Sequence, residues 1–173
     1  MLRPWSCSAK ATPSSAPPEA AGGVRAGLAI AALLALGACT PKSGQGLPHS
    51  QLDNLVGAAI GDPATCLLVA DAKTGVVVYR YGDEFNCVRP LPACDSQGVM
   101  NARAALKFAT RPGGRMQSCP SVADGSRWVG WAEGPVPSKT RDLIYSAVME
   151  GQHALPGHEI NARLYDAFTK AGL

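Results

Sequence analysis

The chain has 173 residues, of which 16 are basic and 13 acidic, so its formal net charge is +3. A length of this order suits one ordinary domain. The basic residues form no continuous block of the kind that binds nucleic acid, so we predict no nucleic-acid partner.

An apolar run occupies residues 26–38 and follows Arg25. Its 13 residues are too few to span a bilayer, which needs about 20, but they match the hydrophobic region of a secretory signal. The run ends in Leu36-Gly37-Ala38-Cys39, which resembles the lipobox of bacterial lipoproteins. The resemblance implies cleavage before Cys39 and lipidation of its thiol. The alternative is a buried alanine-rich helix that ends in a chance cysteine.

The segment that precedes the signal is unusual. Residues 1–23 are rich in Ser, Pro, Ala and Gly and do not suit a packed element. We therefore hypothesise that translation starts at Val24. After Cys39 comes Thr40, not the Asp that retains many lipoproteins in the inner membrane, so the resemblance favours the outer membrane.

Cleavage before Cys39 leaves residues 39–173. It removes three basic residues and one acidic residue, so 13 and 12 remain and the formal net charge falls to +1. Residues 39–48 are predicted to be a flexible tether because they are polar and rich in Gly. Residues 49–173 are predicted to form a single domain with one core.

The first predicted elements are a helix and a hairpin. Ser50 and Asp53 are typical of a helix start, and apolar residues at helical spacing run on to Gly61-Asp62-Pro63. Residues 66–70 and 76–81 then flank the turn sequence Asp71-Ala72-Lys73-Thr74-Gly75, which predicts a β-hairpin.

The later elements are predicted in the same way. Residues 82–95 are a loop, and Asp95 or Ser96 caps a helix that carries Val99, Ala102, Leu106 and Ala109. Strands follow at 115–119 and 127–133, and residues 134–137 are a connector. Ser138 caps the next predicted helix, which carries Leu143, Ile144, Ala147 and Val148, and a last helix covers residues 160–171.

These elements predict an α+β fold. Their order is α-β-β-α-β-β-α-α, which indicates an antiparallel sheet of about four strands with helices packed on it.

Four cysteines remain in the domain: Cys66, Cys87, Cys94 and Cys119. An exported protein keeps disulfides, and four cysteines allow three connectivities. We favour Cys87–Cys94 with Cys66–Cys119, because the first pair brackets a short Pro-rich loop and the second joins two predicted strands. A zinc site is less favoured because the ligand spacing is absent, and we expect no metal or other cofactor.

No sequence motif names a reaction. Neither Gly-x-Ser-x-Gly nor Ser-x-x-Lys occurs, so no catalytic residue is predicted. His153, His158 and Glu159 could meet at a metal, but a polar loop is the favoured interpretation. Glu133, at the end of a predicted strand, is expected to be solvated.

The arginines of the middle of the chain are the candidate binding residues. Guanidinium groups suit carboxylate and phosphate, so converging arginines would bind an anionic component of the cell envelope. The alternative is a set of solvated side chains on separate faces. The strongest candidates are Arg80, Arg89, Arg115 and Arg127, and the wider set adds Arg103 and Arg111.

Residues 67–85, after a helix, resemble the opening of penicillin-binding and serine β-lactamase domains, and Ser126-Arg127-Trp128-Val129-Gly130-Trp131 is similar to their closing strand. The resemblance implies a reduced relative of that fold. The family's Ser-x-x-Lys is replaced by Asn86-Cys87-Val88-Arg89, and Lys73-Thr74-Gly75 lies in the first hairpin and not on a late strand. No catalytic residue is carried over.

The sequence thus favours a non-enzymatic binding or structural module. It is expected to face the periplasm on a lipid anchor, which makes the membrane one partner and an anionic envelope component a second. The alternative is a relative of the β-lactamase-like enzymes that acts on or binds cell-wall material.

Overall fold

The structure is a computed structural model that describes residues 47–95 and 98–173. The leader, Cys39, most of the predicted tether and Ser96 lie outside the described residues. The predicted α+β class is confirmed, because helices pack on an antiparallel sheet.

A five-stranded antiparallel sheet, in the order β2-β1-β7-β6-β5, forms the middle layer. Its strands are β1 (Thr65–Asp71), β2 (Val77–Tyr81), β5 (Arg115–Pro120), β6 (Trp128–Pro135) and β7 (Leu143–Gly151). Two short strands, β3 (Leu91–Pro92) and β4 (Val99–Met100), pair separately. The strand β7 is central, while β2 and β5 are the two edges of the sheet.

Within the described residues, four α-helices cover the sheet: α1 (His49–Ile60), α2 (Glu84–Val88), α3 (Ala102–Ala105) and α4 (Gly157–Lys170). A short 3-10 helix, Leu106–Phe108, continues α3. We call residues 82–114, which connect β2 to β5, the insertion.

The two faces of the sheet carry different layers. On one face, α1 and α4 bury apolar side chains such as Leu52, Val56 and Phe168 against Leu67 and Ala147. The insertion covers the other face, where its apolar residues meet the opposite side of the same strands; the latter include Leu68, Trp131 and Val148. Because side chains alternate along a strand, one sheet serves both cores.

The turn between β1 and β2 has the predicted chemistry. The Asp71 carboxylate accepts hydrogen bonds from the backbone N–H groups of Lys73 and Thr74, at 3.1 and 2.8 Å. Gly75 supplies the positive φ of 70° that the turn requires. The hairpin prediction is confirmed.

The helix predicted after Ser138 is wrong. Leu143 to Gly151 form β7, in which eight of nine residues are buried. A strand covered on both faces is apolar at nearly every position, so it also satisfies the spacing of a helix. The sheet accordingly has five strands where about four were expected.

The insertion is also more structured than predicted. The expected loop at 82–95 contains α2 and β3. The helix expected from residue 95 or 96 begins instead after Asn101, whose side chain accepts a hydrogen bond from the Ala104 N–H at 2.9 Å, and Val99 belongs to β4.

All four cysteines form disulfides, but the favoured pairing is wrong. The bonds are Cys66–Cys87 and Cys94–Cys119. The first joins β1 to α2, and the second joins the insertion to β5. Because α2 lies against β1, Cys87 is beside Cys66 and not directed along its own loop towards Cys94.

Candidate functional site

The six candidate arginines lie in three places and do not form one patch. Arg80 and Arg103 line a cleft beside β2. Arg89 and Arg127 meet at Glu150. The guanidinium carbons of Arg115 and Arg111 lie 3.7 and 4.6 Å from the centroid of the Phe108 ring.

The cleft beside β2 has a volume of 380 Å³, and we call it the β2 cleft. It includes four consecutive strand residues and side chains from α1, α2 and α3. Its lining residues are His49, Leu68, Val77, Val78, Tyr79, Arg80, Glu84, Cys87, Val88 and Arg103.

The cleft follows the edge of the sheet. A β-bulge leaves Val78 unpaired and places both Val78 and Tyr79 on the α1 side, whereas Val77 and Arg80 lie on the insertion side. Because the cleft is lined by residues from both sides of β2, it lies along the edge of this strand. Arg80 faces the insertion side, since it is aligned with Leu68 of β1. Tyr79 faces α1, and its ring lies edge-on to His49 with centroids 5.5 Å apart.

The charge of the β2 cleft is positive. Arg80 pairs with Glu84, and both side chains are about half exposed, at 47% and 58%. Arg103 is exposed, and no carboxylate of the described part of the chain forms an ion pair with it. The cleft thus holds two cations and one anion, and one cation is available to a ligand.

Tyr79 closes the α1 side of the β2 cleft as a neutral group. Its hydroxyl donates a hydrogen bond of 2.9 Å to the Asp53 carboxylate. Burial and the neighbouring carboxylate raise the pKa of the Tyr79 phenol above its ordinary value, so it stays protonated.

Glu150 is the centre of a second cluster. Arg127 donates two hydrogen bonds to its carboxylate, both at 2.7 Å, Ser121 donates one at 2.7 Å, and Arg89 lies 3.2 Å away. The hydrogen bonds from Arg127 lower the pKa of Glu150 to about 2 against the opposing effect of burial. Its carboxylate is therefore ionised at neutral pH.

The Glu150 cluster is a poor anion site. A cleft of 370 Å³ adjoins it, but Asp62 and Glu150 line that cleft together with Arg127 and His153. Arg89 has two nitrogen atoms without a hydrogen-bond partner among the described residues, yet both are buried and out of reach. The lining of this cleft thus carries one arginine and two carboxylates, and so has no excess of positive charge for an anion.

Arg115 forms the third cluster inside the protein. It makes two hydrogen bonds of 3.0 Å with Glu133, which is fully buried, and one of 3.0 Å with Asp95. The expectation that Glu133 is solvated is therefore wrong. Burial raises the pKa of Glu133, although Arg115 opposes the effect. For Asp95, burial also acts to raise the pKa, but the hydrogen bond and charge of Arg115, together with a hydrogen bond from Gln117, lower it. This arginine is neutralised by two carboxylates.

The described residues offer no cluster of metal ligands. No group of three His, Cys, Asp or Glu side chains is suitably placed in residues 47–95 and 98–173. Glu159 pairs with Arg163, one turn further along α4. Ser146 is aligned with Glu133 in the sheet, but it is completely buried.

Sequence reasoning named Arg80 and Arg103 but not their surroundings. It missed His49 and Glu84 as neighbours, because α1 and α2 meet the β2 edge only in the folded chain. It also missed the carboxylates that neutralise Arg89, Arg115 and Arg127, since Glu133 and Glu150 come from strands that follow the insertion.

No helix in the described part of the chain is long and apolar enough to cross a membrane. No protein-family profile matches the chain, and no curated protein is significantly similar to it.

Proposed function

We propose that this chain is a lipid-anchored protein of the bacterial cell envelope and that its folded domain is a non-enzymatic binding module. Cys39 carries the anchor, and the domain faces the periplasm, with the outer membrane as the favoured site. The ligand is an anionic component of the envelope, which binds in the β2 cleft.

The lipid anchor is supported by the signal-like sequence before Cys39 and by the two disulfides of the domain. Arg25, the apolar run 26–38 and the lipobox-like ending at Cys39 have the order of a lipoprotein signal. Two disulfides suit an oxidising compartment such as the periplasm. A lipid-modified N-terminus would explain how a domain without a described membrane-spanning helix stays at a membrane.

The observation that carries the binding proposal is the charge of the β2 cleft. Arg103 is exposed and lies beside apolar lining residues. Arg80 forms an ion pair with Glu84 in which both side chains are exposed, so a ligand's carboxylate can readily replace that of Glu84. Of the other candidates, Arg115 is paired with two carboxylates, Glu133 and Asp95. Arg89 and Arg127 share Glu150, and Asp62 also lines the cleft beside that carboxylate.

A β-lactamase-like enzyme is the second candidate. In its favour, the helix α1, the β1–β2 hairpin and the helix α4 share one core, and β6, which contains the sequence similar to the closing strand, belongs to the same sheet. In this sheet, however, β7 separates β6 from β1. Against it, Cys87 occupies the region where the family has its serine, and a disulfide consumes its thiol. Lys73-Thr74-Gly75 forms the turn of the first hairpin. We therefore prefer the binding module.

The anchor is tested by labelling cells that express the full chain with a radioactive fatty acid. We expect label in the wild-type chain and in the membrane fraction. Cys39→Ser should lose both, while Cys7→Ser, which changes a leader cysteine, should lose neither. Label that persists in the Cys39→Ser chain would overturn the anchor.

The binding module is tested with the detergent-solubilised full chain and immobilised polyglutamate. We expect retention that falls with added salt, because the cationic groups are exposed. The Arg80→Gln/Arg103→Gln double variant should be released at lower salt than wild type. Lys139→Gln removes an exposed positive charge elsewhere and should elute as wild type. Equal elution of all three chains would overturn the assignment of the cleft.

A further inference from the structure

We infer that the ligand of the β2 cleft is an extended peptide segment that adds to β2 as a further strand and presents carboxylates to Arg103 and Arg80. This inference rests on the proposed binding function and specifies the chemical class of its ligand.

The first support is the position of β2. It pairs with β1 on one side only and is an edge of the five-stranded sheet. In an edge strand, alternate residues direct their backbone N–H and C=O groups away from the sheet, where they can pair with another extended chain. The β2 cleft lies along this edge, because residues 77–80 all line it.

The second support is that the cleft has two chemically different walls. The insertion side presents Arg80, Arg103 and Val88, and the α1 side presents His49 and the partly buried Val78, while Tyr79 is buried in the core. Side chains of an added strand would point alternately to these two walls. A segment that alternates acidic and apolar residues would place its carboxylates at the arginines and its apolar groups against His49 and Val78.

The third support is electrostatic. Arg103 has no carboxylate partner among the described residues, and the cleft carries one more positive than negative side chain. An anionic strand would supply a carboxylate partner to Arg103 and would compete with Glu84 for the ion pair with Arg80. The charge thus favours an acidic peptide over a second copy of β2, whose Arg80 would bring another positive charge to the same edge.

The test uses the solubilised full chain and a synthetic peptide of alternating glutamate and valine, matched in length to β2. We expect binding by calorimetry and slower amide exchange at residues 77–81 when the peptide is present. Two further peptides carry N-methyl groups on one or the other set of alternate backbone nitrogens. One of them should lose binding, because one set faces β2 and N-methylation removes its donors.

Three substitutions test the predicted direction of change in peptide affinity. Arg103→Ala should weaken binding about ten-fold, the loss of one charge-assisted hydrogen bond. Glu84→Gln should strengthen binding because it frees Arg80. Lys139→Ala, whose charge lies outside the cleft, should bind as wild type.

If both N-methylated peptides bind as tightly as the parent peptide, strand addition is overturned, whereas retention on polyglutamate would still support anion binding in the cleft. Slow amide exchange at residues 77–81 without peptide, together with a dimer in sedimentation, would also overturn the inference, since a second copy would then occupy the edge. Loss of polyglutamate retention is a separate result that overturns the proposed function itself.

Discussion

The charge of Glu150 is expected to stabilise the folded state, because its pKa is lowered to about 2. Its pKa of about 2 lies below the ordinary value of 4.5 because Arg127 donates hydrogen bonds to the ionised form. A carboxylate with a lowered pKa stabilises the folded state fully above its unfolded pKa, and this contribution is lost as pH falls through the folded pKa.

We therefore expect the free energy of unfolding to fall between about pH 5 and pH 2, with part of the fall due to Glu150. Glu150→Gln should lose about 2 kcal/mol at pH 7, where the ion pair is intact, and little at pH 2. This figure is discounted because Arg127 is 43% exposed. Denaturant unfolding across this range measures it, with Glu159→Gln, a change on the surface of α4, as control. A variant that differs from wild type equally at both pH values would contradict the assignment.

Gly157 is a second residue with a defined role. It begins α4, where a Cβ atom would lie 2.1 Å from the Trp131 carbonyl oxygen and 2.6 Å from backbone atoms of Gln117. Only glycine allows the helix to start this close to β5 and β6.

We expect Gly157→Ala to lower the free energy of unfolding by about 3 kcal/mol or more, because the clash is with backbone that cannot move aside. Gly151→Ala is the matched control, since its Cβ would meet nothing within 4 Å. Its cost should stay within about 0.5 kcal/mol. Thermal and denaturant unfolding measure both, and equal stability of the two variants would show that α4 can shift.

The elements differ in how far the sequence predicts them. The helix α1, the β1–β2 hairpin and α4 each have an amphipathic period or a turn signal, so local chemistry suffices. The strand β7 has neither, because the insertion and the two helices bury both of its faces. Its identity depends on pairing with β1 and β6, which are distant in the chain.

The same limit applies to the candidate site. The sequence identified arginines but could not show which are neutralised. Arg115 forms an ion pair with Glu133 in the next strand, and Arg127 forms one with Glu150 in β7, so neither arginine is available to a ligand without breaking that pair. Arg103 is left available because α3 presents it at the β2 edge, where the carboxylate of the cleft, Glu84, pairs with Arg80.

The two disulfides link the insertion covalently to two strands of the sheet, β1 and β5. Trypsin does not cut at Arg89–Pro90, so residues 81–103 remain one peptide that contains Cys87 and Cys94. Under non-reducing conditions, we expect this peptide joined to both 43–73 and 116–127. The Cys87–Cys94 pairing would instead release it alone, with 43–73 and 116–127 joined to each other.

Removal of either bond should also destabilise the fold. The bonds close segments with sequence separations of 21 and 25, for which chain entropy gives about 3 kcal/mol each. We expect Cys66→Ala/Cys87→Ala to cost at least as much as Cys94→Ala/Cys119→Ala, because Cys66 and Cys87 are also buried in the core. Denaturant unfolding measures the two losses, and an unchanged midpoint in either variant would contradict the pairing.

In the folded domain, the sheet is the middle of three layers. The helices α1 and α4 cover one face and the disulfide-linked insertion covers the other, so binding at the β2 edge requires neither core to open. A lipid anchor would attach this rigid domain to a membrane through the chain that precedes α1.

A lipid anchor and an oxidised domain on one chain can be detected together by intact-mass analysis of the membrane-extracted protein. We predict a mass for residues 39–173 plus acyl groups on Cys39, less four hydrogen atoms for two disulfides. An unprocessed chain without lipid, or four free thiols, would contradict the account.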